Sequence, residues 1–294
     1  MLSVNTNAGA MVALQNLTKT NTQMTEVQQR INTGLDVAGA KDDGGKFAIA
    51  QRMRAQVGGY EVVKDSLNRT RSVVDVALAA SEGISDLLIE MKAKALAASD
   101  VSLDSASRTA LNEDFKALRD QISKMVSTAE FNGTNLINNT VTSVSALAND
   151  DGSSTISIVD ENLTLGGAVL TLTGTASFAS AGTADTIAGT ISTSLNNLNL
   201  ALARLGTASK SLEIHGEFVV KLSDALEVGI GNLVDADLAK ESARLQSLQV
   251  KQQLGVQALS IANQNPQTIL SFFQELRFFW FRKRGAVSMP AIWN

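Results

Sequence analysis

Apolar side chains recur at helical spacing in the first part of the chain. Successive members are three, four or seven residues apart, so they fall on one face of an α-helix. The members of this first seam are Met11, Leu14, Leu17, Met24, Val27 and Ile31. We therefore predict an amino-terminal helix over residues 1–33 with one apolar face.

Glycines interrupt the helical pattern in two places, at residues 34–45 and at residues 229–234. Glycine accepts backbone angles that other residues avoid, so both stretches are predicted as flexible connectors, or hinges. The glycines concerned are Gly34, Gly39, Gly44, Gly45, Gly229 and Gly231. In the first connector, Asp42 or Asp43 can cap the helix that follows.

Longer apolar seams occupy residues 46–137 and 184–228. Their steps are mostly three, four or seven over many turns, which is typical of coiled-coil helices rather than of a compact globular core. A Ser- and Asp-rich turn at residues 99–107 divides the first stretch into two helices. The prolines are Pro266 and Pro290, so no earlier residue must break a helix by lacking a backbone N–H.

Between these seams, residues 138–183 are rich in Ser, Thr, Gly and Asn. Apolar and polar residues alternate in Thr155–Val159 and in Val169–Thr173, which predicts short β-strands. Turns are expected at residues 150–152 and 166–167. We interpret this stretch as a small β-rich insert.

Residues 235–273 carry two apolar lines on one predicted helix, which means that the helix is contacted on more than one side. The residues on these lines are Leu238, Leu245, Leu248, Leu259, Val250, Leu254, Ala258 and Ile261. The first and last helices can pair only with each other or with other copies of the chain. The whole pattern predicts a mainly α protein, an extended antiparallel α-helical coiled coil or bundle with a small β-rich insert.

The composition excludes several kinds of chemistry. There is no cysteine and one histidine, His215, which rules out disulfides and any zinc site with two or more His or Cys ligands. A net charge of -4 argues against nucleic-acid binding, and no window reaches the roughly 18 apolar residues of a membrane span. We predict no catalytic residue, metal or cofactor, no nucleic-acid partner and no stable membrane insertion.

The composition changes again in residues 274–294. This tail holds both tryptophans and three phenylalanines, and it has four basic residues, Arg277, Arg282, Lys283 and Arg284, against one acid, Glu275. The change favours an extension by frameshift or read-through over a selected function. Aromatic and basic residues together also suit weak binding at a membrane surface, so a membrane-active secreted protein is one alternative.

Four segments carry a recognisable pattern. They are Arg30-Ile-Asn-Thr-Gly34, Ala40-Lys-Asp-Asp43 followed by Ala48-Ile-Ala50, Phe131-Asn-Gly-Thr-Asn-Leu136, and the stretch from Val234 to Leu270. In this order they resemble the terminal domains of bacterial flagellins, most closely the short flagellins of α-proteobacteria. The resemblance covers roughly residues 1–140 and 185–272.

The resemblance implies a secreted, extracellular structural subunit of the bacterial flagellar filament, without enzymatic activity. Residues 1–33 and 235–273 would form an inner tube, and residues 46–137 and 184–228 an outer tube. The implied partners are other copies of the chain or other flagellins, the type III export apparatus with its chaperone, and the filament cap. A hook-filament junction protein of the same superfamily is the nearest alternative, although the short middle favours a flagellin.

Two further expectations follow from these assignments. Terminal helices without a partner in the monomer should be largely disordered alone, because ordering costs about 1–2 kcal/mol per residue in backbone entropy.

In flagellins seen by the vertebrate innate flagellin receptor, the second helix has a basic residue and a leucine where this chain has Glu90 and Lys94. We hypothesise weak recognition by that receptor.

Overall fold

The computed structural model describes the backbone of residues 6–284 and the side-chain surroundings of residues 6–264. Long helices dominate the described part. The helices are α1 (Ala8–Thr33), α2 (Gly44–Ala98), α3 (Ser105–Thr128), α4 (Ala181–Val234) and α5 (Leu238–Arg284). The strands are β1 (Glu130–Phe131), β2 (Thr134–Asn135), β3 (Ser143–Leu147) and β4 (Thr155–Val159).

Short polar side chains begin several of these helices. Asn7 accepts a hydrogen bond from the Ala10 N–H, Asp104 accepts one from the Ser107 N–H, and Asp237 accepts from the first turn of α5. Each of these oxygens satisfies an N–H that has no partner within its own helix. Asp43 does the same for α2, as predicted, by accepting from the N–H groups of Gly45 and Lys46.

The chain divides into two compact units. The terminal unit runs to Ala50 and resumes at Ile230, and the central unit comprises Gln51–Gly229. In the terminal unit, α1 and α5 lie antiparallel, with the Asn7 side chain donating to the Ala262 carbonyl and the Gln252 side chain donating to Asn21. Two alternatives were open for the first and last helices, pairing with each other or with other copies, and pairing with each other is present within the chain.

In the central unit, α2 packs antiparallel against both α3 and α4. Lys94 of α2 binds Asp114 of α3, and Ser209 of α4 binds Asp75 of α2. The core between them is mostly aliphatic, with Ile84, Leu88 and Ile122 fully buried. The predicted fold, an extended antiparallel helical bundle with small β elements, is confirmed.

The β-rich insert is smaller than the sequence suggests. Antiparallel β3 and β4 form a hairpin, with Leu147 opposite Thr155, so the strand predicted at residues 155–159 is confirmed. The strand predicted at residues 169–173 is wrong. There the Thr171 N–H donates to the Ser194 hydroxyl of α4 and not to the backbone of another strand.

The helix predicted to extend to residue 137 is also wrong in its last turns. Residues 130–135 instead form the β1–β2 hairpin, whose turn has positive φ at Asn132 (51°) and Gly133 (76°). An Asn-Gly pair favours such a turn because both residues tolerate the left-handed region. The Asn-Gly pair is a local signal for this turn, but the helical periodicity before it favoured a longer helix.

The predicted interruption of the helix at residues 229–234 is wrong as well, since α4 continues through Gly229 and Gly231 to Val234. Both glycines lie close to the ends of side chains. A Cβ on Gly229 would lie 2.8 Å from the Met53 methyl, and one on Gly231 would lie 2.7 Å from an Asp235 carboxylate oxygen. Helix α5 continues to Arg284, into the predicted tail, and residues 285–294 lie outside the described part.

Candidate assembly surfaces

The predicted seam residues divide into two groups in the terminal unit. One group lies where α1 and α5 face each other. Val27 and Leu248 are buried there, and a Cβ on Gly255 of α5 would lie 3.3 Å from the Leu17 side chain. The other members of this group are half-buried, namely Leu17, Met24, Ile31, Leu245 and Leu259. Burial within the chain leaves this group less surface for contact with other copies.

The second group is exposed to solvent in the single chain. Its members have about half or more of their surface accessible, and they are Met11, Leu14, Leu238, Val250, Leu254 and Ile261. Val12 and Val256, which the seams did not predict, are also more than half exposed. Hydrophobicity alone could have found both, but neither continues a regular seam.

The first connector is held in place by backbone hydrogen bonds. Gly34 ends α1 with φ 72°, a left-handed conformation that favours glycine. Its carbonyl accepts from Ala236, and the N–H groups of Asp36 and Val37 both donate to the Val234 carbonyl. Gly39 lies in the loop that follows, whereas Gly44 and Gly45 belong to the first turn of α2.

A buried charge lies beside this connector. Glu241 of α5 is 6% exposed, and one of its carboxylate oxygens is 3.6 Å from Arg30 and 3.7 Å from Arg244. Arg30 makes a closer ion pair with Asp36, at 2.9 Å. The second Glu241 oxygen is buried without a hydrogen-bond partner, so the pairing at this point is incomplete.

In the central unit, the β3–β4 hairpin is fixed to helices on two sides. The Leu147 N–H donates to the Ser66 hydroxyl of α2, and the His215 ring of α4 donates from Nε2 to the Ala148 carbonyl. A carbonyl can only accept, so the proton of a neutral His215 is on Nε2. This histidine therefore helps to fix the hairpin to α4. It borders a surface groove of about 860 Å³ with Ile156, Ile214 and Phe218.

Asp160 is an ionisable group in an unfavourable place, directly after β4. Burial, followed by the neighbouring Glu161 charge, raises the pKa of Asp160 to about 6, although a hydrogen bond from the Asn139 backbone opposes the shift. Its Oδ1 atom is buried without a partner. The adjacent Glu161 is satisfied, because both of its oxygens bind the Arg204 guanidinium.

The two positions linked to innate recognition lie on α2. Lys94 Nζ is engaged with the Asp114 carboxylate at 2.8 Å, and Glu90 is exposed. The hypothesis of weak receptor recognition stays a prediction. Across residues 6–264, no group of three or more His, Cys, Asp or Glu side chains could hold a metal ion.

The comparisons with known proteins match both ends of the chain. Residues 4–142 match the bacterial flagellin N-terminal helical region, and residues 188–273 match the C-terminal helical region. Flagellin FljM of Caulobacter vibrioides is 57% identical over 272 residues, which cover 92% of this chain and 98% of that protein. A Brucella melitensis flagellin is 35% identical, over 93% of this chain and 100% of that protein.

A structural comparison agrees at the level of fold. A solved structure from Vibrio parahaemolyticus, described as flagellar hook-associated, covers 66% of this chain with a TM-score of 0.52 and 13% sequence identity. The chain belongs to the bacterial flagellin family. It is a structural subunit of the extracellular flagellar filament, and its near-complete alignment with a flagellin favours this over the junction-protein alternative. Among the described helices, none combines the length and hydropathy needed to cross a membrane.

Proposed function

We propose that this flagellin polymerises by burying the exposed apolar side chains of α1 and α5 against neighbouring copies. The supporting observation is the division of the seam residues. One group is used within the chain, whereas Leu14, Leu254 and Ile261 each leave more than half of their surface in water. An apolar face that the monomer does not cover is typical of an interaction surface.

The energetic argument favours association through several such residues at once. Burying a leucine or isoleucine side chain contributes about 1.5–3 kcal/mol relative to leaving it exposed. A helical filament also needs different patches on the two sides of each subunit, because the contacts are head-to-tail. The exposed residues on α1 and on α5 provide candidate patches on two separate helices.

The experiment is a seeded polymerisation assay on the full chain with Leu254→Gln. The side chain is exposed in the monomer, so we expect the thermal midpoint of the monomer to stay unchanged. Losing one buried leucine in the polymer should raise the critical concentration for assembly about tenfold or more, which corresponds to about 1.4 kcal/mol.

Gln253→Ala is the matched control for Leu254→Gln. It changes an exposed polar residue on the same helix, and we expect wild-type assembly from it. Normal filaments from Leu254→Gln at the wild-type critical concentration would contradict the proposal. An equal defect in both variants would show that the helix, rather than this side chain, is sensitive.

We also propose the partners and the export route that this family implies, namely type III secretion with a dedicated chaperone and a filament cap. The role we propose is purely structural, with no catalytic step. An extended helical chain without cysteine is compatible with export as an unfolded polypeptide, since no disulfide must form or break on the way.

A further inference from the structure

Methionine is the oxidisable sulfur residue of this chain, because the sequence has seven methionines and no cysteine. Oxidation turns the apolar thioether into a polar sulfoxide, and the reaction depends on access to the sulfur. Among the methionines with described surroundings, access varies widely. Met11 is 59% exposed, whereas Met91 is fully buried.

Packing also shields the methionines of intermediate burial in the central unit. The Met53 methyl lies 2.8 Å from where a Cβ on Gly229 would be, and the Met125 methyl lies 2.5 Å from the same position on Gly83. Each thioether therefore ends against a glycine of a neighbouring helix. Met24 is half-buried in the terminal unit. Among the methionines with described surroundings, Met11 is therefore the one most accessible to peroxide.

Met11 also lies on a surface that the proposed function requires. Its neighbours Val12 and Leu14 on α1 are exposed and apolar. If neighbouring copies bury this part of α1, the oxygen of a Met11 sulfoxide, which is a strong hydrogen-bond acceptor, would be buried in the contact. Burial of an acceptor without a donor is unfavourable, so the sulfoxide should weaken assembly.

We propose that Met11 is a peroxide-sensitive modification site that controls the assembly competence of the monomer, an inference that rests on the proposed function. In the reaction, a sulfur lone pair attacks one oxygen of hydrogen peroxide and forms the S–O bond. The O–O bond breaks, and the leaving hydroxide takes the proton from the transferred oxygen and departs as water. The thioether is thereby oxidised to the sulfoxide and the peroxide is reduced. Methionine sulfoxide reductases reverse this change.

The first test measures where oxidation occurs. The full-length monomer is treated with a limiting dose of hydrogen peroxide, and peptides are analysed by tandem mass spectrometry. We expect sulfoxide at Met11 well before Met91, and slower oxidation of Met11 in assembled filaments. Equal rates at Met11 and Met91, or equal Met11 rates in monomer and filament, would overturn the proposal.

The second test measures assembly with matched variants. Peroxide should raise the critical concentration of the wild type about tenfold, or about 1.4 kcal/mol. Met11→Leu keeps an apolar side chain of similar size and cannot be oxidised, so it should assemble equally well with and without peroxide. Met11→Gln, which is polar at the same position, should have the raised value without treatment.

A peroxide-induced defect in Met11→Leu as large as in the wild type would overturn the proposal, as would normal assembly of wild type carrying full Met11 sulfoxide. If Met11→Leu itself assembles poorly, oxidised wild type is treated with methionine sulfoxide reductase instead. Recovery of assembly that follows the loss of Met11 sulfoxide supports the proposal. No recovery of assembly overturns it. Failure of untreated wild type to polymerise would instead contradict the proposed function.

Discussion

At the scale of single residues, a few side chains are placed where their chemistry works against the fold. Asp160 is the clearest, because its carboxylate has a buried oxygen without a partner and lies beside the Glu161 charge. Glu161 has the same charge but binds Arg204 with both oxygens. The two adjacent carboxylates therefore differ in how well they are paired. Glu161 has an arginine partner, whereas the buried Asp160 oxygen has none.

Asp160→Asn tests this arrangement through the pH dependence of stability. The folded-state pKa of Asp160 is about 6, above its usual 3.8, so its protonation stabilises the fold fully below pH 3.8, and this contribution is lost as the pH rises through 6. At pH 7.5 we expect the variant to be more stable than wild type by about 1 kcal/mol, after allowance for partial exposure. At pH 4 the difference should largely disappear.

Asp151→Asn is the control for Asp160→Asn, measured by the same thermal unfolding. Hydrogen bonds from Ser153 lower the pKa of Asp151, so its ionised form is favoured in the fold. Neutralising Asp151 should therefore not stabilise the protein at pH 7.5. A pH-independent effect of Asp160→Asn would show that the buried carboxylate is not the titrating group.

At the scale of elements, glycines in long helices are sites of close contact as well as of flexibility. Gly59 of α2 faces the turn of the β3–β4 hairpin, and a Cβ there would lie 2.8 Å from the Asp150 Cβ and 3.0 Å from its carbonyl oxygen. The adjacent Gly58 has no such neighbour within 4 Å. The sequence does not distinguish these two adjacent glycines. They differ in whether atoms of the hairpin lie close to the position of an added Cβ.

Gly59→Ala and Gly58→Ala should therefore have opposite effects on the free energy of unfolding of the monomer. Gly58→Ala should stabilise it by about 0.5–1 kcal/mol, because alanine loses less conformational entropy in a helix. Gly59→Ala should destabilise it by about 1–3 kcal/mol, since backbone atoms must move. Equal stabilisation by both substitutions, measured by denaturant unfolding, would mean that the hairpin does not pack on α2 as described.

At the scale of the whole molecule, the two units differ in how much apolar surface they bury. The central unit has a continuous aliphatic core that includes Val74, Leu88 and Leu198. Between α1 and α5, Val27 and Leu248 are the apolar residues below a tenth exposure in residues 6–264. Such a narrow contact offsets little of the entropy lost when two long helices become ordered.

We therefore expect the terminal helices to gain order when the chain polymerises. The measurement is circular dichroism at 222 nm on monomer and filament at equal protein concentration, with hydrogen exchange of α1 and α5 amides in both states. Helical signal and protection should rise in the polymer. Unchanged dichroism together with full protection of α1 in the monomer would contradict this expectation.

Much of this architecture follows from local patterns. The helical period of the seams, the capping aspartates and the scarcity of prolines all act within a few residues, so α1 to α5 were predictable in kind and approximate length. The errors lie where a local pattern competes with a distant contact. Gly229 and Gly231 predict a break, yet both lie inside α4, where the Met53 methyl and an Asp235 carboxylate oxygen are close to them.

The sequence by itself determined the helical class, the absence of thiol chemistry and, through the flagellin-like segments, the family. Those properties depend on residue types and short spacings that are visible without coordinates. Only the tertiary structure decided which seam residues are already used within the chain and which remain exposed. Leu17 and Leu254 both belong to apolar lines, but the approach of Gly255 covers Leu17, and in residues 6–264 no comparable contact covers Leu254. Helical periodicity specifies a face of a helix, whereas the partner of that face is set by packing between residues far apart in the chain.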